Sequence, residues 1–163
     1  MILDVGCGHA FKGDVNIDLF TKPTKHRMLG LPDPDAPDMP LSHVPNLIRA
    51  DCTHLPIQDN SFEEVVSNHL IEHIDEPYWL LREMVRVTKP NGTIHVETPH
   101  KLAHRRKWSL HKHSFNLKWF ETAFRLLNVQ MVDCKTSYKY LPHTYFPLVQ
   151  LPYFIQITGK VKK

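Results

Sequence analysis

The sequence predicts a single α/β domain on a mostly parallel sheet of seven strands, or slightly fewer, with one helix layer depleted. Three observations carry this. Short apolar strand patterns alternate with amphipathic helical ones, the order that buries a parallel sheet between helices. The first strand pattern runs straight into Gly6-Cys7-Gly8, and glycines at a strand end let a ligand approach the backbone closely. Only about eight residues separate the first two strand patterns, whereas a parallel crossover usually takes about 10–12 residues and a helix. The expectation is a bare loop there, leaving one sheet face under-covered.

The elements follow in order. Ile2 to Val5 is the first strand, and Val15 to Leu19 alternates as the second, with Asp18 near its end. Between residues 20 and 45 lie six of the thirteen prolines. They break any helical periodicity, so the segment reads as a surface loop or one ordered by substrate or a partner subunit. Asn46 to Asp51 and Phe62 to Asn68 are the third and fourth strands. Asp75 is the expected cap of a helix with Pro77 in its first turn and Leu80, Met84 and Val87 on one face, stopped by Lys89-Pro90-Asn91-Gly92. Thr93 to Glu97 is the fifth strand. Ser114 is the expected cap of a second helix with Leu117, Phe120, Phe124 and Leu127 in one stripe. Strands near 129–137 and 153–158 complete the chain, and a homodimer interface is one way to cover the thin face.

Composition sets the class. The 163 residues, 42% hydrophobic and 23% charged, suit one globular domain spanning 1–163 rather than a disordered chain or disulfide scaffold. No apolar run approaches the ~18 residues of a membrane helix. MILDVGCG is a strand and turn rather than a secretory signal, and three widely spaced cysteines fit reduced thiols. The expected location is cytoplasmic, without membrane association.

Two acids, Asp18 and Asp51, fall at the ends of the second and third strands. This places them on the carboxyl edge of the sheet, where open α/β sheets bind ligands. A carboxylate at the second strand's end suits a pair of ribose hydroxyls, so the set points to a nucleoside ligand. Position 11 is Phe11, which breaks GxGxxG, and no GxxxxGK[ST] loop exists, so nicotinamide dinucleotides and ATP are disfavoured.

LDVGCG, VNIDL, ADCTHLPIQDNSFEEVVSNHLIEHI and LLREMVRVTKPNGTIHVETP together resemble the successive motifs of class I S-adenosylmethionine-dependent methyltransferases of the type-11 kind, over residues 2 to about 99. The resemblance implies a Rossmann-like fold and S-adenosylmethionine as cofactor. It implies that Asp4, Gly6, Cys7 and Gly8 form the cofactor turn and that Asp18, with Leu19, serves the ribose. Asp51 would meet the adenine amine, the Cys52 amide its ring nitrogen, and Asn68 the methionine end. Ala10 stands where the family has a third glycine, and the helix that usually follows the first motif is missing. That loss removes helix N-terminal amides near the methionine carboxylate, so weaker cofactor binding is expected than in longer relatives.

Twelve histidines raise two further questions. His69-Leu70-Ile71-Glu72-His73 spells an inverted zinc-protease motif, but the long helix needed to present both histidines is absent. His100, His104, His111 and His113 match no standard zinc module. No metal is assigned from the sequence; a zinc hydrolase is the outlying reading. His69 and His113 are instead candidates to orient or deprotonate an acceptor. Five Lys/Arg and no acid fall between His100 and His113, around Trp108. Residues 101–112 therefore suit a nucleic acid or another anionic acceptor. The expected function is methyl transfer to an unidentified acceptor. The alternative is a non-catalytic methyltransferase-like module that binds a protein or RNA partner.

Overall fold

The computed structural model describes residues 1–19, 41–100, 111–140 and 150–163. Most of the proline-rich segment, and the basic stretch 101–110 with His104 and Trp108, lie outside the described residues.

Seven strands form one sheet: β1 (Ile2–Val5), β2 (Val15–Asp18), β3 (Leu47–Arg49), β4 (Phe62–Asn68), β5 (Thr88–Pro99), β6 (Val129–Tyr140) and β7 (Gln150–Val161). Their order is β3-β2-β1-β4-β5-β7-β6. The first five are parallel, and β7 runs antiparallel to both β5 and β6. Among the described residues the α-helices are α1 (Pro77–Val87) and α2 (Leu117–Leu126). Neither is long and apolar enough to cross a membrane. The short crossover is a bare loop: β1 and β2 are parallel neighbours, with Leu3 opposite Val15, and no helix lies between them.

That loop is tied down by polar groups where a helix would otherwise cover the sheet. Asp4 Oδ2 accepts from the Lys12 amide at 2.8 Å. The fully buried Asn16 side chain bonds Gly13 N–H, Gly13 C=O and Pro45 C=O. Gly13 is required here, since a Cβ would lie 2.4 Å from the Val15 oxygen and 2.7 Å from the Asp4 nitrogen.

The core lies where β1, β4 and β5 meet α1, through Leu3, Val65, Ile94, Leu80, Leu81 and Met84, all fully buried. Burial of side chains of this size contributes roughly 1.5–3 kcal/mol each. Helix α2 adds Phe120 and Phe124. Gly159 on β7 leaves the room: a Cβ there would lie 2.4 Å from Val129 and 2.6 Å from the Phe124 ring.

Both expected caps are displaced. Glu76 precedes α1 without a side-chain cap bond, because the Asp75 carboxylate pairs with Lys112 Nζ at 2.6 Å instead. Asn116, not Ser114, caps α2, accepting from the Trp119 amide at 3.0 Å. Strand β5 begins at Thr88 rather than Thr93 and includes the Lys89–Gly92 turn. The third strand is shorter than the pattern suggests because Asp51 turns back onto Thr53. Leu117 is partly exposed, so the α2 stripe is Phe120, Ala123 and Phe124.

Arg86 on α1 fixes the loop before β4. Its guanidinium binds both Glu83 oxygens at 2.7 Å, the Ile57 and Leu55 carbonyls at 2.7 and 3.0 Å, and Asp59 at 2.6 Å. Five donors in a rigid fork suit this many acceptors. The LPIQDN segment is thereby held against α1.

Candidate functional site

The strand ends that carry the glycine turn and both acids converge on the carboxyl edge of the sheet. Gly6 and Gly8 sit at φ +75° and +50°, the left-handed region in which a Cβ is disfavoured. The Gly6 and Cys7 amides both donate to the Ile17 carbonyl, at 2.8 and 3.1 Å. The Gly8 amide donates to Asp18 Oδ2 at 3.0 Å. The second strand's carboxylate is therefore fixed directly beside the turn. A Cβ at Gly8 would meet nothing within 4 Å, so open space adjoins the turn. At Gly6, by contrast, a Cβ would touch the Leu70 methyls at 2.7 Å.

Asp51 stands beyond β3, exposed, with Oδ1 accepting from the Thr53 amide and hydroxyl at 2.8 and 2.7 Å. Those bonds hold its carboxyl below the usual carboxylate range, so it is ionised at neutral pH and accepts hydrogen bonds only. Burial pushes the Cys7 and Cys52 thiols up to about 12, with the neighbouring acids adding to the shift. Both remain neutral thiols rather than nucleophiles. Burial likewise raises Asp4, whose work is the Lys12 bond that shapes the loop. Leu19 is half-exposed, and its carbonyl accepts from Arg49 Nε. A nucleoside-bearing cofactor fits this set: an open glycine turn, a fixed carboxylate beside it and an ionised carboxylate just beyond the next strand.

The far side of the edge is built from β4, β5 and the 3-10 turn Ile71–His73. Asn68 is in register with Glu97. His69 follows at φ +54°, with Nε2 2.9 Å from Glu97 Oε1 and Nδ1 3.6 Å from Glu72 Oε1. The Glu72 carboxylate first, then Glu97, raises its pKa above the ordinary histidine range, against burial. His69 packs edge-on to Phe154 at 4.9 Å.

His113 is held differently. Its Nε2 lies 3.1 Å from the Asp75 carbonyl, which can only accept, so Nε2 carries the proton. Its amide, with that of Lys112, donates to the Glu72 carbonyl at 3.2 and 2.8 Å.

The structure thus brings together Gly6, Cys7, Gly8 and Asp18 around one turn, and groups His69 with Glu72 and Glu97. The acids of this second group are not evident from the sequence. Glu97 is one more polar position near a strand end, and its meeting with His69 depends on the β4–β5 register. Glu72 was visible only as a letter of the Glu-His pair.

Comparison with known proteins bears on the family and the fold. A protein-family model described as a methyltransferase domain matches residues 3–96, more than half of the chain. A methyltransferase of Mycolicibacterium gilvum, itself uncharacterized, is 34% identical over 95 residues, covering 56% of this chain and 36% of that protein. A demethylmenaquinone methyltransferase of Renibacterium salmoninarum is 32% identical over 99 residues, 58% of this chain and 39% of that protein. The chain spans less than two fifths of the length of either relative. Among solved structures, a SAM-dependent methyltransferase from Archaeoglobus fulgidus superimposes with a TM-score of 0.67 at 15% identity, over 98% of this chain and 85% of that one. At that identity the likeness speaks to the fold.

Proposed function

The chain belongs to the methyltransferase-domain family, and from that premise we propose that it transfers a methyl group from S-adenosylmethionine to an anionic acceptor. The observation that supports this most is the 3.0 Å bond from the Gly8 amide to Asp18. It fixes a ribose-seeking carboxylate beside an open glycine turn, at the edge where this sheet order receives ligands.

Bound S-adenosylmethionine supplies an activated methyl group on a sulfonium centre. The protein's task is chiefly alignment, which can itself be worth several kcal/mol. Asp18 would hold the ribose hydroxyls, and Asp51 with the Cys52 amide would hold the adenine. Gly6, Cys7 and Gly8 keep the turn free of bulk, and Asn68 flanks the methionine end.

His69 is the group we place at the acceptor. Its Nε2–H donates to Glu97, which leaves Nδ1 as the atom that takes up a proton. His113, with Nε2 committed to Asp75, is placed as a tie between the two loops. The anionic class of acceptor rests on the basic composition of residues 101–112.

Calorimetric titration with S-adenosylmethionine and its demethylated product tests the cofactor site. Saturable 1:1 binding that is lost in Asp18→Ala is the expected result, and it leads to an acceptor screen with a radiolabelled methyl donor. Changing Arg105, Arg106 and Lys107 to Ala should then weaken acceptor binding and reduce its salt dependence. An absence of cofactor binding at millimolar ligand would favour a non-catalytic module instead.

A further inference from the structure

Glu72, His73 and His111 lie at the edge of the proposed acceptor side, and methyl transfer has no evident use for them as a group. Their ligating atoms all fall within 4.8 Å of one another. His73 and His111 meet edge to face, with ring centroids 4.8 Å apart, and His73 Nε2 is 4.0 Å from Glu72 Oε1. Sequence spacing does not reveal this group. The letters His69-x-x-Glu72-His73 would pair the two histidines of the motif, but His69 Nε2 instead turns to Glu97. The second imidazole comes from a segment 38 positions after His73.

The independent pointer to a ligand is Glu72 itself. Its side chain is 2% exposed, yet among the described residues Oε1 has no hydrogen-bond partner, His69 Nδ1 standing off at 3.6 Å. Leaving a buried carboxylate oxygen unsatisfied is costly. A cation between this oxygen and the two imidazoles removes that cost.

The rest of Glu72 is already braced. Oε2 accepts from the buried Thr98 hydroxyl at 3.1 Å, and the Glu72 carbonyl accepts from the Lys112 and His113 amides. Such outer bonds orient a ligand carboxylate and are typical of metal sites.

We propose that Glu72, His73 and His111 form a site for a divalent first-row metal ion, with zinc the best match. Two imidazole nitrogens and one carboxylate oxygen are the donor set of three-ligand zinc sites, which leave a fourth position to water. Calcium and magnesium prefer all-oxygen shells. Zinc bond lengths put tetrahedral donors roughly 3.2–3.5 Å apart. The present spacing, up to 4.8 Å, has to close to that when the ion binds. The ion would clasp the Ile71–His73 turn to the 111–113 segment. The test reads metal binding and not activity, so its outcome is distinguishable from that of the methyl-transfer proposal.

The test uses tag-free, metal-stripped full chain. Zinc is titrated against a chromophoric chelator, and cobalt is added separately for its visible spectrum. The expected result is one zinc per chain, a cobalt spectrum of tetrahedral intensity, and a zinc-dependent rise in melting temperature. The His73→Ala/His111→Ala double variant should lose the spectrum and bind zinc at least about tenfold more weakly. Glu72→Gln, which keeps an acceptor for Thr98, serves if the double variant does not fold. It should show the same loss. His9 and His43, whose rings stack 5.6 Å apart, supply the control: changing both to Ala should leave affinity unchanged. Absence of stoichiometric zinc at micromolar concentrations overturns the proposal. So does unchanged affinity in the folded site variants, or loss that follows the His9/His43 variant instead.

Discussion

Asn16 and Gly13 are joined twice, the Gly13 amide donating to Asn16 Oδ1 at 3.2 Å and Asn16 Nδ2 donating to the Gly13 carbonyl at 3.1 Å. With its further bond to Pro45 at 2.8 Å, this fully buried amide closes the loop that replaces a crossover helix. Asn16→Ala leaves those backbone groups without partners inside the protein, which costs roughly 1–3 kcal/mol. Chemical denaturation should show that loss. Cofactor affinity should fall too, because the same loop carries Gly8.

Asp18 is predicted to serve the turn and the cofactor separately. Asp18→Asn keeps an acceptor for the Gly8 amide but loses the charge, so cofactor binding should weaken about tenfold. Asp18→Ala removes both, and about a hundredfold loss is expected, on the scale of charge-assisted hydrogen bonds. Titration calorimetry of the two variants side by side checks the order. Equal losses would mean that the acceptor to Gly8 is irrelevant.

The Glu83–Arg86 pair gives a pH dependence with a defined sign. Hydrogen bonds from Arg86 hold the Glu83 carboxyl below its ordinary value of 4.5. Its contribution to stability is therefore present above about 4.5 and is lost as pH falls through the lower folded-state value. Glu83→Gln should cost about 1–3 kcal/mol at neutral pH and flatten the acid limb of the stability profile. Urea melts of both proteins from pH 7 to pH 3 measure this, and parallel profiles would contradict it.

Gly159→Ala tests the contact between α2 and β7. The added methyl would lie within 2.4–2.6 Å of Val129 and Phe124, and overpacking of this kind typically costs about 1–3 kcal/mol. Adding Val129→Ala should recover part of it. A melting temperature unchanged in the single variant would show that α2 shifts freely.

What the sequence disclosed depended on how local the cause was. The Gly6–Gly8 turn, the fourth strand and the missing crossover helix follow from residues adjacent in the chain, and the structure has them as expected. The caps were legible only as candidates. Asp75 and Ser114 have suitable chemistry, but Lys112 engages the first, and Asn116 is better placed for the second helix. The grouping of His69 with Glu97 and of His73 with His111 depends on strand register and on the path after β5. No local pattern encodes either. Asn16 reads as an ordinary polar strand residue until Pro45 is brought to it.

The sheet order also constrains how the chain can assemble as it is synthesised. Strand β1 lies between β2 and β4, yet β4 begins only at Phe62. A nascent chain that has already paired β1 with β2 must leave the other edge of β1 open until β4 emerges, with Leu3 and Val5 uncovered. Open, apolar edges of this kind invite pairing with other chains. By contrast, β6 and β7 are consecutive in sequence and paired along nearly their whole length, so they can zip locally. The exposed interval therefore lasts until β4 is made, which predicts that fragments ending before β4 will aggregate or be captured by chaperones.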